Sequence, residues 1–164
     1  MRITRLLLLL LAIVSTIALA LLRPLPVRAA TGTHPRRLAA AHRASLLFGR
    51  HVVRYARHLI GVPYRYGGTS PRSGFDCSGF VRYVYSHFGV SLPHSSFADL
   101  VRGRRVGRWQ LHPGDLVFFD GAGHVGIYVG HQRFIHAPHT GTVVTISSMT
   151  GWYGARYDGA RRIR

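Results

Sequence analysis

The 164-residue chain contains no lysine and no glutamate, and its only cysteine is Cys77. All 22 basic residues are arginine, against five aspartates, so the formal net charge is +17. A single cysteine excludes an internal disulfide, so the folded part must rely on its hydrophobic core for stability. No metal-ligand cluster has convincing spacing, because no cysteine or carboxylate joins His131, His136 and His139. We therefore expect neither a metal nor another cofactor.

The N-terminal 29 residues have the composition of an export signal. Arg2 and Arg5 precede an uninterrupted apolar run at 6–22, and small residues stand before the cleavage position at Ala30. The run approaches the length of a membrane span, so an uncleaved anchor is the alternative to a cleaved signal peptide. We predict an exported protein of the periplasm or cell envelope, with a basic linker at 30–45 and one domain at 46–164.

The arginine excess predicts attraction to polyanions. In an exported protein these are anionic phospholipid, wall polymer or carboxylates of a substrate. Nucleic acid is not expected, because the chain carries an export signal and no nucleic-acid-binding motif. The competing interpretation is a genome-wide preference for arginine that serves solubility, which the absence of lysine favours.

Cys77 lies where loop composition gives way to a helical pattern. Apolar residues then recur at helical spacing: Phe80, Val81, Val84, Tyr85 and Phe88. Cys77 therefore falls in the first turn of a predicted helix, where unpaired N–H groups and the helix dipole stabilise a thiolate by about 0.3–1 kcal/mol. This is too little to activate a thiol alone, so we expect an imidazole to take its proton and form a thiolate–imidazolium pair.

His124 is the candidate base and His136 its candidate partner. Segments 116–119, 124–129, 134–137 and 143–146 read as short strands separated by turns with glycine. The two histidines are equally distant from Gly130. An antiparallel hairpin turning there would put them on facing positions, with His136 orienting the His124 ring.

Simpler interpretations stand beside this one. A lone cysteine is most often a small buried hydrophobe, and with eleven histidines any chosen pair is unremarkable. Asp76 has the character of a helix N-cap, and Ser78 of a support for that cap. The joint arrangement of thiol, helix start and two histidines on adjacent strands favours a cysteine nucleophile.

From about residue 51 onward the sequence resembles the NlpC family of bacterial cell-wall peptidases, circularly arranged relatives of the papain fold. Six ordered motifs carry the resemblance: GVPYRYGG at 61–68, FDCSGF at 75–80, LPHSS at 92–96, PGDLVFF at 113–119, GHVGIY at 123–128 and FIHA at 134–137. The resemblance implies an α+β fold, with N-terminal helices packed on an antiparallel sheet and the nucleophile at a helix N-terminus.

The same resemblance implies roles for the site residues. Cys77 matches the family's nucleophile, His124 its base, His136 its third polar residue, and Tyr64 a tyrosine that projects towards the nucleophile. The implied substrate is the peptidoglycan stem peptide, cut around D-glutamate and a diamino acid or at the cross-link. We expect Tyr64 and the Cys77 N–H to bind the oxyanion, and Asp76 and Ser78 to meet the substrate near the scissile bond.

Two other functions remain open. A papain-like acyltransferase, or an amidase with another substrate, would keep the nucleophile. A non-catalytic wall- or membrane-binding module would not need Cys77, His124 and His136 together, so their joint presence disfavours it.

Overall fold

The computed structural model describes residues 34–164, of which 38–164 form one compact unit. The predicted export signal and apolar run lie outside the described residues. In chain order the elements are α1 (His34–Arg57), β1 (Thr69–Ser70), β2 (Gly74–Phe75), α2 (Cys77–Ser86), α3 (Ser96–Asp99), β3 (Arg104–Val106), β4 (Leu116–Phe119), β5 (His124–Gly130), β6 (Arg133–His136), β7 (Thr145–Ser148), α4 (Gly151–Ala155) and β8 (Tyr157–Arg162).

Strands β3 to β8 form one antiparallel sheet in the order β3-β8-β4-β5-β6-β7. Alternate residues of β4 point to opposite faces: Leu116 and Phe118 join the main core with the helices, and Val117 and Phe119 join a second cluster on the other face. The predicted α+β arrangement of helices packed on an antiparallel sheet is confirmed.

Helix α1 packs on α2 through one face. The Phe48 ring lies 6.1 Å from that of Tyr85 and 5.8 Å from that of Phe88. Gly49 is buried against the loop before β4, and a Cβ at this position would stand 1.9 Å from the Pro113 carbonyl oxygen. Only glycine permits so close a helix–loop approach.

The basic linker predicted at 30–45 differs from the structure over its described part. Helix α1 begins at His34 and continues without a break to Arg57. Alanine, leucine and arginine between 36 and 47 are strong helix formers, and the buried half of the helix supports the exposed half. The domain limits themselves remain a prediction. Among residues 34–164, no helix combines the length and the apolar composition needed to cross a membrane.

Segment 102–108, which is rich in arginine and glycine, contains the edge strand β3. Its residues Arg104, Arg105 and Val106 pair with β8, and of these three only Val106 is buried. A strand with one buried side chain has no apolar alternation to reveal it in the sequence.

Candidate active site

Asp76 caps the helix that carries Cys77. Its carboxylate accepts hydrogen bonds from the backbone N–H groups of Gly79 at 2.7 Å and Gly67 at 2.9 Å. Cys77 is therefore the first residue of α2, as predicted. Burial raises the pKa of its thiol, and the backbone N–H groups of Ser78 and of Cys77 itself oppose this rise. These are groups that a helix leaves unpaired at its N-terminus.

The thiol also faces the start of strand β5. The backbone N–H of Val125 also opposes the rise in the pKa of the buried Cys77 thiol, so the thiol lies close to the residue that directly follows His124. Tyr64 stands near the same point: burial raises the pKa of its phenol, and negative charge on Cys77 and Asp76 raises this pKa further. The structure thus gathers Cys77, Tyr64, Asp76 and the first residues of β5.

His124 and His136 form a direct contact. The Nε2 atom of His124 is 2.7 Å from Nδ1 of His136, and Nε2 of His136 is 2.8 Å from the Ser147 hydroxyl. A neutral imidazole has one donor and one acceptor nitrogen. If each Nε2 carries the proton, His124 donates to His136 and His136 donates to Ser147. This arrangement leaves Nδ1 of His124 free to accept a proton.

The two histidines are not on facing positions, in contrast to the expected register. Ile127 pairs with Ile135, which puts His136 opposite Gly126 and leaves His124 on the diagonal. A bulge between Tyr128 and Gly130 moves the turn along the chain. Because Gly126 has no side chain, the His136 ring can reach across to His124.

The model of the NlpC/P60 family matches residues 61–162, which contain Cys77, His124 and His136. The chain belongs to the NlpC/P60 family. A solved structure from Mycobacterium tuberculosis, the peptidoglycan hydrolase RipB, superposes with a TM-score of 0.64 at 32% identity, covering 76% of this chain and 67% of that one.

Two curated relatives have informative names. Murein DD-endopeptidase MepH of Escherichia coli is 41% identical over 145 residues, which are 82% of this chain and 52% of the relative. Gamma-DL-glutamyl hydrolase of Bacillus subtilis is 41% identical over 118 residues, 68% of this chain and 28% of the relative. The chain therefore spans about half or less of the length of these two relatives.

Burial sets the protonation of the pair in this NlpC/P60 domain. Burial raises the pKa of the Cys77 thiol, and the Val125 N–H offsets only part of this rise. The pKa of His124 is lowered to about 4, chiefly by burial; Asp120 raises this pKa and His139 lowers it by smaller amounts. Burial likewise lowers the pKa of His136. Burial thus disfavours the charged form of both the thiol and the imidazole in the free domain. The expected thiolate–imidazolium pair remains a prediction.

Asp76 and Ser78 have their polar atoms engaged within the domain. The Ser78 hydroxyl donates to Asp76 at 3.2 Å, and the Ser78 residue is only 6% exposed. His94 Nε2 lies 2.9 Å from each carboxylate oxygen of Asp76. This geometry favours a positioning role for Ser78 and Asp76 over direct contact with a substrate.

Sequence reasoning missed three residues of the site: His94, Ser147 and Tyr153. His94 lies within the LPHSS motif, which could have marked it, but among eleven histidines it reads as a surface residue. Tyr153 on α4 packs edge-on against His136, with ring centroids 5.3 Å apart, and its ring centre is 6.0 Å from that of His124. Nothing in the sequence near Ser147 or Tyr153 signals that they approach the histidines.

Proposed function

We propose that this NlpC/P60 protein is a peptidoglycan endopeptidase that hydrolyses an amide bond of cell-wall stem peptides. The observation that carries the proposal is the chain of contacts from His124 through His136 to Ser147, together with a thiol at a helix N-terminus close to Val125, the residue after His124. The names of the relatives, a murein endopeptidase and a glutamyl hydrolase, give the substrate class.

The proposed mechanism assigns one step to each group. Cys77 attacks the amide carbonyl while Nδ1 of His124 takes the thiol proton, which it then returns to the leaving amine. Water afterwards attacks the thioester, again with His124 as base, and releases the acid and free Cys77. His136 holds the His124 ring, and the Cys77 N–H with the Tyr64 hydroxyl binds the oxyanion.

The groups around Cys77 suit a polar substrate. Tyr64 and Asp76 lie near the thiol and are both polar. Polar groups at this point suit a peptide substrate, and the alternative of an acyltransferase would call for an apolar channel for its acyl group. The intact set of Cys77, His124 and His136 also favours an enzyme over a wall-binding module.

The proposed place of action is the cell envelope. Export through residues 1–29 and anchoring through 6–22 remain predictions, because both segments lie outside the described residues. Association of the basic surface with anionic wall or membrane is part of the same proposal and is independent of the catalytic mechanism.

The test is digestion of purified sacculi followed by mass spectrometry of the released peptides, with Cys77→Ala as the matched control. Conversion of cross-linked dimers to intact monomers would mean that the cross-link is cut. Shortened monomers would mean cleavage within the stem, next to D-glutamate. Equal products from the wild type and Cys77→Ala would refute the proposal.

A further inference from the structure

Helix α1 presents a line of arginines to solvent. Arg43, Arg50, Arg54 and Arg57 are all exposed, and with Leu47 they follow one another at intervals of four, three, four and three residues. This spacing places all five on one face of an α-helix. From Arg43 to Arg57 the line is about 21 Å long, at 1.5 Å per residue. We call these five residues the arginine face.

The arginine face is opposite the part of α1 that packs on the domain. Gly49, Val52, Val53 and Ala56 are buried and lie on the other side of the helix. Since α1 contacts α2 through Phe48 and Tyr55, the arginines point away from that contact.

Among residues 34–164, no carboxylate neutralises the arginine face. Within residues 34–164, the four arginines form no ion pair and no side-chain hydrogen bond, and the sequence contains no acidic residue before Asp76. The five aspartates all lie elsewhere. Asp76 caps α2, Asp99 is buried, and Asp158 accepts a hydrogen bond from the Ala122 N–H. The other two form ion pairs, Asp115 with Arg162 and Asp120 with Arg156. The counter-charge of this face must come from another molecule.

We propose that the arginine face binds the surface of an anionic phospholipid bilayer. Guanidinium groups donate paired hydrogen bonds to phosphate oxygens, and each arginine held at an anionic membrane strengthens binding about fivefold. Leu47 favours a bilayer over a soluble polyanion. It is 50% exposed in the middle of the arginines, and an apolar side chain gains free energy when it leaves water for the acyl boundary of a bilayer.

The proposal is independent of the proposed peptidase activity. The arginine face and Cys77 are on different helices, and binding to a bilayer requires no turnover. Failure of one proposal therefore leaves the other standing, because the experiment below measures binding and not hydrolysis.

The test compares full-length protein on vesicles of neutral phosphatidylcholine and on vesicles that also contain phosphatidylglycerol. The apolar run at 6–22 contributes to both, so the additional binding to anionic vesicles isolates the charge effect. Replacing Arg43, Arg50, Arg54 and Arg57 with glutamine should reduce this additional binding at least about tenfold. The matched control replaces four other exposed arginines of equal total charge, Arg82, Arg104, Arg105 and Arg133, and should retain it.

Leu47→Ser, which keeps every charge, should also weaken anionic binding. Equal losses in the two quadruple variants would mean that only net charge matters and would overturn the proposal. So would unchanged vesicle binding in the α1 variant combined with lost binding to purified wall polymer or DNA.

Discussion

His136 lies diagonally across the β5–β6 hairpin from His124, and 2.7 Å separates Nδ1 of His136 from Nε2 of His124. The contact depends on the residue between them. Gly126 stands opposite His136, and a Cβ there would lie 2.5 Å from the Phe134 ring and 2.9 Å from the Ile135 carbonyl oxygen. The hairpin thus has room for the two rings only when position 126 has no side chain.

We expect Gly126→Ala to separate the two rings. The added methyl group must push β6 away from β5, which should lower the free energy of unfolding by about 1–3 kcal/mol and reduce kcat/KM. Urea unfolding and peptide turnover measure the two effects. Gly107→Ala is the control, because a Cβ there meets nothing closer than 3.5 Å. Wild-type turnover in Gly126→Ala would mean that the spacing of β5 and β6 does not control the site.

A second prediction separates the roles of the histidines. His124→Ala should reduce kcat/KM by about 10²–10⁴, the usual contribution of a positioned base. His136→Asn should keep measurable activity, because an amide oxygen can still accept the His124 N–H bond. Turnover of a soluble stem peptide measures both. Equal and complete loss in the two variants would contradict this division.

The third prediction concerns the pH dependence of the thiol. Because burial raises the pKa of Cys77, the thiolate should be scarce at neutral pH, and alkylation of the free enzyme should accelerate up to and beyond pH 8.5, the ordinary cysteine value. Mass spectrometry after timed iodoacetamide treatment gives the rate, with Cys77→Ala as the unlabelled control. A rate already constant between pH 6 and 8 would instead indicate a preformed thiolate.

The fourth prediction concerns the acid limb of activity and Tyr153. His124 is a base only when neutral, and its pKa is lowered to about 4, so kcat/KM should persist at pH 5 and fall as the pH passes below about 4. Tyr153→Ala opens the histidine pair to water, which should raise the His124 pKa towards 6.5 and move the limb upwards. His139 and Asp120, the other groups that act on His124, are unchanged in this variant.

Tyr153→Phe is the matched control, because it keeps the ring that packs on His136. Its acid limb should coincide with that of the wild type. A purely structural loss in Tyr153→Ala would lower activity equally at every pH, and the limb would not move.

The fifth prediction distinguishes Asp76 from Ser78. Asp76→Ala removes the cap of α2 and the hydrogen bonds to Gly67 and His94, so it should cost about 2 kcal/mol of stability and most of the activity. Ser78→Ala removes one donor to the same carboxylate and should change both much less. Thermal unfolding and turnover test the pair. A large rise in KM for Ser78→Ala with unchanged stability would favour direct substrate contact.

Local signals in the sequence predict the parts of the site that depend on neighbours along the chain. Asp76, Cys77 and the apolar spacing after them give the start of α2. The strand at 116–119 was also predictable, because all four of its residues are buried and apolar. Helix ends and buried strands are determined by residues that follow one another in the sequence, so a single sequence is enough to predict them.

The parts of the fold and of the site that the sequence does not predict depend on pairing between residues far apart in the chain. Strand β8 contains only one buried residue, Ala160, and three arginines or acids among its six residues, so no alternation marks it. His124 and His136 are diagonal neighbours because a bulge near Gly130 shifts the register of the hairpin. No residue pattern in the sequence marks that bulge. Contacts from Ser147 and Tyr153 to the histidines require the completed sheet and α4.

The order of the strands also determines when the protein can become active. Strand β8 lies between β3 and β4, so a growing chain that has not yet reached Tyr157 leaves β4 with an unpaired edge and β3 without a partner. Synthesis must pass Arg162, which pairs with Asp115, before the sheet beneath the histidines is complete. The support that the sheet gives to the histidine pair is therefore complete only when nearly all of residues 34–164 have been synthesised.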